Sequence, residues 1–335
     1  MAVDVEELRA QGETIRRLYR DRAFSEARRI AREAAAGLPE PTLKEGRTEA
    51  LARLDLARAL GMVGEGRWAR RTLDQALEVA ERALGKDHPD LAGILLAQAS
   101  VLARVVYYPE IEPVLRRAVE IRERALGEDH RETGLALLEW AEAIDRHWHR
   151  YLARPIARRA EKILKCELSL HHPAVLRCRE IVVMADRETR RAEELAAELE
   201  EIARERQRIQ GPEHPDLLRT LETLLDVAPG GDRVDAVYAR ALALSSRLFG
   251  ADSPRAALVH LAYAERQLRQ SDAAGALGPM REALDILEAA WASDDPERMP
   301  VFGKLTMLLT WADPVEDVAP LREKLRALKG ADART

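Results

Sequence analysis

The sequence predicts an all-α protein, a right-handed superhelical solenoid of about eight antiparallel helix pairs. Its composition favours helix almost everywhere, because Ala, Leu, Glu and Arg dominate and aromatic residues are only 4% of the 335 positions. A short string of residues also returns about every 42 positions, which is the mark of a repeat array. Small residues recur at a fixed place inside each repeat. These three observations together exclude a sheet protein.

The repeated string marks the turns between units. Residues 84–89 read Leu-Gly-Lys-Asp-His-Pro, and residues 126–131 read Leu-Gly-Glu-Asp-His-Arg. The histidines of the string follow one another at steps of 42 residues, at His88, His130, His172 and His214. Glycine just past a helix end accepts the left-handed conformation that stops a helix, and Asp followed closely by Pro begins the next one. Each copy of the string therefore predicts a helix end and a helix start.

A second column of residues recurs within the second helix of each unit. It consists of Ala34, Ala76, Ala118, Ala160, Ile202, Ala241 and Ala283. A small residue at the same place on one helical face lets two helices pack closely. We therefore predict one solenoid domain over residues 1–335, with helix pairs at about 5–37, 43–85, 89–127, 131–168, 173–210, 215–249, 254–291 and 296–329.

The middle of the array departs from the repeat. Ile202 replaces the alanine of the column, and the step from Pro215 to Pro254 is 39 residues instead of 42. The shortened unit contains a Pro-Gly-Gly turn at 229–231. Since larger side chains widen the spacing of packed helices, we expect an irregularity in the solenoid between about 186 and 232.

The 42-residue unit, with Leu-Gly-x-Asp-His-Pro between units and alanines in the second helix, resembles the tetratricopeptide repeats of kinesin light chains. It is equally similar to related arrays in bacterial proteins. The resemblance covers about residues 5–329. It implies a protein whose partners lie against the concave inner face formed by the first helices of the pairs.

The sequence predicts no catalytic residue, no metal site and no cofactor. The four histidines of the string lie in successive turns, too far apart to share one ion, and we expect them to act at helix starts. His147 and His149 would point in different directions from one helix. Cys166 and Cys178 are too few for a disulfide framework, and we expect free thiols in a reducing cytoplasm. No nucleotide-binding, zinc-protease or hydrolase motif occurs.

The resemblance also implies which side chains line the groove, at 4, 7 and 11 residues after each unit start. These positions hold Leu51, Leu54, Arg58, Gly93, Leu96, Ser100, Leu135, Leu138, Glu142, Arg177, Glu180, Met184, Arg219, Glu222, Asp226, Leu258, Leu261 and Glu265. We expect a groove that is apolar towards the N-terminus, charged in the middle and apolar again near Leu258. The alternative is a register shifted by one residue, with the leucines in the core.

The chain contains no asparagine. Tetratricopeptide grooves that clamp a peptide backbone or a terminal carboxylate typically use Asn, whose amide both donates and accepts hydrogen bonds. The corresponding positions hold Leu54, Leu96, Leu138, Glu180, Glu222 and Leu261. An apolar groove suits an amphipathic partner helix, or a segment with large apolar anchors, better than a free C-terminal carboxylate.

Charge is unevenly distributed, although the net charge of −5 is small for this length. A basic stretch runs over residues 146–191, and an acidic stretch runs over residues 193–226. A possible anion-binding patch lies on one second helix and consists of Arg154, Arg158, Arg159, Lys162 and Lys165. We favour neutralisation by the acidic stretch, or end-to-end association of two chains, over nucleic-acid binding, because aromatic residues that stack on bases are scarce there.

We therefore expect a non-enzymatic, cytoplasmic, bacterial scaffold or adaptor that binds a helix or peptide of another protein in its concave groove. The alternative is a regulatory repeat subunit that controls a separately encoded enzyme, such as a protease or an NTPase. No apolar run approaches the about 20 residues that span a bilayer. The groove and the basic stretch 146–191 are both candidates for the functional surface, and self-association stays open.

Overall fold

The computed structural model describes residues 4–40, 46–105, 108–146, 150–290, 298–312 and 318–332. These residues form sixteen α-helices and contain no β-strand, so the all-α prediction is confirmed over them. The helices are α1 (Val5–Arg20), α2 (Phe24–Ala36), α3 (Gly46–Met62), α4 (Gly66–Leu84), α5 (Pro89–Val105), α6 (Tyr108–Leu126), α7 (Arg131–Arg146), α8 (Arg150–Glu167), α9 (Pro173–Ala185), α10 (Ala192–Gln210), α11 (Pro215–Val227), α12 (Asp232–Phe249), α13 (Pro254–Arg269), α14 (Ala273–Ala290), α15 (Arg298–Trp311) and α16 (Val318–Asp332). No helix in these ranges combines the length and the apolarity required to cross a bilayer.

The chain divides into two compact units, unit 1 (residues 1–182) and unit 2 (residues 183–335). In unit 1 the helices pack as the predicted pairs, α1 with α2, α3 with α4, α5 with α6 and α7 with α8. In unit 2 the pairs are α11 with α12, α13 with α14 and α15 with α16. The division falls inside α9, and a single domain over 1–335 stays a prediction.

The turns between helix pairs use the residues that the repeat predicts. Helix α4 ends at Leu84, and Gly85 follows with φ of 91°. Helix α6 ends at Leu126, and Gly127 follows with φ of 102°. A positive φ is strained for residues with a Cβ and is open to glycine, so these turns stop the helices as expected.

Imidazole groups cap the first helices that follow these turns. The Nδ1 atom of His88 accepts a hydrogen bond of 3.2 Å from the backbone N–H of Asp90. The same contact recurs at His130 with Glu132 (3.1 Å), His172 with Ala174 (3.2 Å) and His214 with Asp216 (3.1 Å). A cap satisfies an N–H that has no partner inside the first turn. The predicted helix-entry role of these histidines is confirmed, whereas His147 and His149 lie outside the described residues.

Unit 1 buries the alanine column. Ala76, Ala118 and Ala160 are at most 1% exposed, and they lie among larger buried residues such as Leu115 and Ile163. A methyl group at this position permits the close approach of neighbouring helices.

Unit 1 also contains a fully buried ion pair. Arg53 of α3 is 0% exposed, and its Nη2 atom lies 2.8 Å from a carboxylate oxygen of Glu49, one turn earlier. The same guanidinium donates to the side chain of Gln75 on α4 at 2.9 Å and to the carbonyl of Pro39 at 2.7 Å. One side chain therefore connects α3, α4 and the segment that precedes α3.

Unit 2 has a polar aromatic cluster in place of a purely aliphatic contact. The rings of Tyr238 on α12 and Tyr263 on α13 stack with centroids 4.1 Å apart. The Tyr238 hydroxyl lies 2.7 Å from Nδ1 of the buried His260, and the Tyr263 hydroxyl donates to Asp235 at 2.6 Å. Burial lowers the pKa of His260, against the opposing charge of Glu282.

The first helices around the predicted irregularity are short. Helices α9 and α11 have 13 residues each, whereas α3 and α5 have 17. They are followed by turns at 186–191 and 228–231. Ile202 on α10 is fully buried despite its size. The Pro-Gly-Gly segment thus ends a first helix early, and irregular solenoid geometry in this region stays a prediction.

We expect Arg53→Ala to lower the free energy of unfolding by about 3–5 kcal/mol, because it leaves Glu49 buried without its counter-ion. Urea denaturation followed by circular dichroism measures the change. The matched control is Arg58→Ala on the same helix, whose pair with Asp55 is exposed and should contribute less than about 1 kcal/mol. Equal losses in the two variants would contradict the assigned role of Arg53.

The lowered pKa of His260 predicts a loss of stability in acid. A histidine in the unfolded chain takes up its proton near about pH 6.5, whereas the buried ring takes it up only at lower pH, so the unfolded state binds more protons in between. The free energy of unfolding should therefore fall as the pH drops below about 6.5. His260→Gln keeps a partner for Tyr238 and should show a shallower decline in the same titration. Parallel curves for the two proteins would show that His260 is not responsible.

Candidate functional site

The first helices of unit 1 expose one stripe of residues each. In α3 the stripe includes Leu51 and Arg58, which are exposed, and in α5 it includes Gly93 and Ser100, also exposed. In α7 it includes Leu135 and Glu142, which are half-buried. They stand 4 and 11 residues after the start of each repeat, as predicted. Two residues seven positions apart share a face, because seven residues make about two helical turns.

These stripes border a groove of about 540 Å³ formed by α3, α5, α6 and α7. It is lined by Arg58, Gly93, Leu96, Ala97, Ala99, Ser100, Leu115, Arg122, Glu132, Leu135, Ala136, Glu139, Glu142 and Ala143. The structure thus brings together the predicted residues Arg58, Gly93, Leu96, Ser100, Leu135 and Glu142. We call this the α3–α5–α7 groove.

The prediction that the residue 7 positions after each repeat start faces the groove is wrong in most repeats. Leu54, Leu138 and Leu261 are 2%, 8% and 0% exposed, and Glu180 is 0% exposed, so these side chains belong to the core. The residue 7 positions after a repeat start lies about 60° to one side of the exposed stripe, and the residue 8 positions after it lies about 40° to the other side. Solvent is on the side of the residue 8 positions after the start, because Asp55 and Ala97 are half-buried and Glu139 is exposed.

This correction changes the chemistry of the groove. Of the expected strip of leucines, Leu96 and Leu135 are half-buried and line the groove, whereas Leu51 is exposed but is not among the lining residues. Charged residues that the sequence reasoning missed lie beside them: Arg122, Glu132 and Glu139. The Arg122 guanidinium lies 3.9 Å from the Glu132 carboxylate. Glu139, eight residues after the start of this repeat, was the sequence signal that this side of α7 is exposed.

The charged middle positions form internal ion pairs. Arg177 of α9 is largely buried and contacts Glu142 at 2.8 Å, Asp145 at 3.2 Å and Glu180 at 3.4 Å. Burial disfavours its charged form, but these carboxylates outweigh burial and raise the pKa of Arg177. Met184, the last of the three predicted positions in this helix, is buried. The network connects α7 to α9 and leaves these side chains little freedom to meet a ligand.

The predicted positions in unit 2 are also engaged within the unit. Arg219 pairs with Asp216 at 3.0 Å, and Glu222 pairs with Arg255 of the neighbouring first helix. Burial raises the pKa of Glu222, although Arg255 opposes that shift. Further predicted positions are similarly placed: Asp226 and Glu265 form ion pairs, and Leu258 packs against the core.

Four members of the proposed basic patch lie on one face of α8. Arg154, Arg158, Lys162 and Lys165 are exposed and follow one another at helical spacing. Arg159 is directed elsewhere, since it pairs with Glu123 at 2.7 Å and Glu128 at 3.7 Å. Anion binding by this patch stays a prediction.

The acidic helix α10 has partners within unit 2. Its carboxylates form ion pairs in four cases: Glu194 with Arg191, Glu198 with Arg190, Glu200 with Arg240 and Glu205 with Arg208. Arg190 and Arg191 belong to the end of the basic stretch, so their pairs neutralise part of the acidic stretch. Neutralisation of the patch on α8, and end-to-end association of two chains, stay predictions.

The two cysteines are free thiols, as the sequence suggests. Cys166 is exposed, and Cys178 is buried. Burial raises the pKa of Cys178 to about 12, so its reactive thiolate form is disfavoured. In the described ranges, no three His, Cys, Asp or Glu side chains converge as ligands for a metal ion.

Stacked helix pairs with capped, glycine-terminated turns define an α-helical repeat protein. Residues 50–90 and 99–132 match the family model of the tetratricopeptide repeat. The matched segments include most of α3 to α6, the helices that form much of the groove. No curated protein matches the sequence.

Solved structures with low sequence identity are similar to this chain. A Podosopora anserina protein described as a kinesin light chain with nearly identical TPR-like repeats is 20% identical, with 63% of this chain and 99% of that chain covered and a TM-score of 0.49. BtubC (BKLC) from P. vanneervenii is 16% identical, with 75% of this chain and 94% of that chain covered and a TM-score of 0.49. Neither likeness bears on the partner of this chain.

The burial pattern predicts opposite outcomes for two leucines three residues apart on α7. Leu138→Glu places a carboxylate in the core and should lower the free energy of unfolding by several kcal/mol. Leu135→Glu faces the groove and should leave the melting temperature within a few degrees of the original. Thermal denaturation of both variants measures this difference, and a stable Leu138→Glu variant would restore the original register.

Proposed function

We propose that this protein is a non-enzymatic, cytoplasmic scaffold that binds a helix or peptide segment of another protein in the α3–α5–α7 groove. Tetratricopeptide repeats indicate a protein–protein interaction scaffold. The free cysteines suit a reducing compartment. The observation that carries the choice of surface is the groove itself, about 540 Å³ between three successive first helices.

The groove lining is partly apolar and partly charged. Leu96, Ala97 and Leu135 contribute apolar surface, and charged side chains of both signs line the same groove. A binding site of this kind buries an apolar anchor and fixes its orientation with a few polar contacts. The partner segment should therefore carry an apolar residue flanked by charged residues of both signs.

A helical segment fits this lining better than an extended one. An extended peptide exposes backbone N–H and C=O groups that need partners from the groove, whereas a helix satisfies its own. Among the described residues that line the groove there is no asparagine or glutamine, and Ser100 is the one with a hydroxyl group. We therefore favour an amphipathic partner helix.

Gly93 helps to keep the groove open. It occupies on α5 the position of Leu51 in α3 and Leu135 in α7. A Cβ at Gly93 would meet only the Nη2 atom of Arg122, at 4.0 Å, so packing does not require glycine here. Glycine inside a helix is about 1 kcal/mol less favourable than alanine. According to this proposal, residue 93 is a glycine because a side chain there would fill space in the groove that the partner occupies.

Gly93→Trp should fill the groove and abolish partner capture without unfolding the protein. Partners would be captured from the native host with the full chain and quantified by mass spectrometry, with circular dichroism to verify the fold. The matched control is Gly278→Trp on α14, where an added Cβ meets nothing within 4 Å. The control should retain the partner.

A partner retained by both tryptophan variants would overturn the groove proposal. Loss in both variants would place the binding surface elsewhere. The partner that is lost only with Gly93→Trp can also be tested for enzyme activity. An enzyme whose activity changes on binding would support the alternative of a regulatory repeat subunit.

A further inference from the structure

The shortened helices of the middle region leave a pocket of about 260 Å³ in unit 2. It lies where the turn after α9 meets the C-terminal ends of α11 and α13. Three cationic side chains line it, Arg187, Arg266 and Arg269, with two acidic ones, Glu188 and Asp226. The rest of the lining is apolar or backbone, so the pocket has an excess of positive charge.

Two of the three arginines already share a carboxylate. The Nη1 atom of Arg187 lies 3.1 Å from one oxygen of Asp226, and Arg269 pairs with the other oxygen. Arg269 also pairs with Glu265, which in turn lies 3.0 Å from the ammonium group of Lys304. Charges alternate along this row, and each carboxylate is held between two cations.

Arg266 is the exception in this row. It forms no ion pair within the described part of the chain, and it donates instead to the backbone carbonyl of Ala228. With the Gln270 amide suitably oriented, its oxygen accepts a further bond from Arg266 at 3.1 Å. The buried Nε atom of Arg266 has no hydrogen-bond partner in the described ranges. Burial lowers the pKa of Arg266; the charge of Asp226 opposes this shift, and the neighbouring Arg269 adds to it.

We propose that this pocket binds an oxyanion of the carboxylate or phosphate type, with Arg266 as its principal contact and Arg187 and Arg269 as supporting charges. A guanidinium presents several donors in one plane and matches such groups through paired hydrogen bonds. Asp226 acts on Arg266 only through its charge, and an oxyanion would add the direct ion pair that Arg187 and Arg269 already have. The pocket goes beyond the groove proposed above, which belongs to unit 1 and involves none of these residues.

Two substitutions with opposite expected effects on oxyanion binding test the proposal. Arg266→Gln removes the principal donor and should weaken oxyanion binding about tenfold or more, as expected for a lost hydrogen bond to a charged group. Asp226→Asn removes a competing negative charge and should strengthen binding. The control is Arg247→Gln on α12, an exposed arginine paired with Glu213 at 3.4 Å, which should change binding by less than about twofold.

Isothermal titration calorimetry of the full chain with inorganic phosphate measures binding, with sodium chloride holding the ionic strength constant. Sodium acetate is titrated in a second arm. Saturable binding of phosphate alone assigns the pocket to phosphate groups, and binding of both ions assigns it to carboxylates as well. If Arg266→Gln fails to fold, the increase with Asp226→Asn still tests the site. The absence of saturable binding of either ion to the original protein would overturn the proposal. So would equal affinity in Arg266→Gln, or no gain in Asp226→Asn.

Discussion

Close packing at the alanine column is the contact on which this fold depends. A helix pair cannot bury its apolar face alone, so each pair is stable only against its neighbours, and that requires small residues where the helices approach. Ala76, Ala118 and Ala160 are almost completely buried in unit 1, as are Ala241 and Ala283 in unit 2. The exposed stripes of the first helices, and hence the groove, follow from this contact because it fixes which face of each helix is turned inward.

Ion pairs add a second connection between repeats. Arg124 contacts Asp87 across 37 residues, Arg177 contacts Glu142 across 35, and Arg240 contacts Glu200 across 40. These separations are close to one repeat, so opposite charges one period apart meet when the pairs stack. Exposed pairs stabilise little individually, and many of these are exposed. Their main consequence is chemical, since they engage side chains that would otherwise be available to ligands.

The sequence predicted those features that depend on spacing along the chain. The helix stops at Gly85 and Gly127 and the caps at His88 and its equivalents follow from local residue type, and their positions are confirmed. The groove could be located but not assigned residue by residue. Leu54 and Asp55 both lie within about 60° of the exposed stripe, on opposite sides, and only the packing of neighbouring helices decides which one is buried.

The interactions of individual charges were less accessible from sequence. Arg159 was grouped with the other cations of α8 because it is adjacent in sequence, yet its partners Glu123 and Glu128 belong to the preceding repeat and its turn. Arg53 gave no signal at all, because a charged residue among leucines and alanines of a surface helix is ordinarily solvated. A search for opposite charges about one repeat apart would have indicated the partners of Arg159. It would not have indicated Glu49, the partner of Arg53, which lies one turn away on the same helix.

Both proposed binding sites lie where the repeat is interrupted. In unit 1, Gly93 replaces the leucine found at the same position of the helices on either side, and the groove opens there. In unit 2, the Pro-Gly-Gly turn ends α11 early, and the pocket around Arg266 lies beside that end. A sequence that follows one structural rule throughout specifies a fold, and local departures from the rule are where function is expected. Here each departure removes material from a packed array, so each creates space, and the charged side chains around that space determine what can enter it.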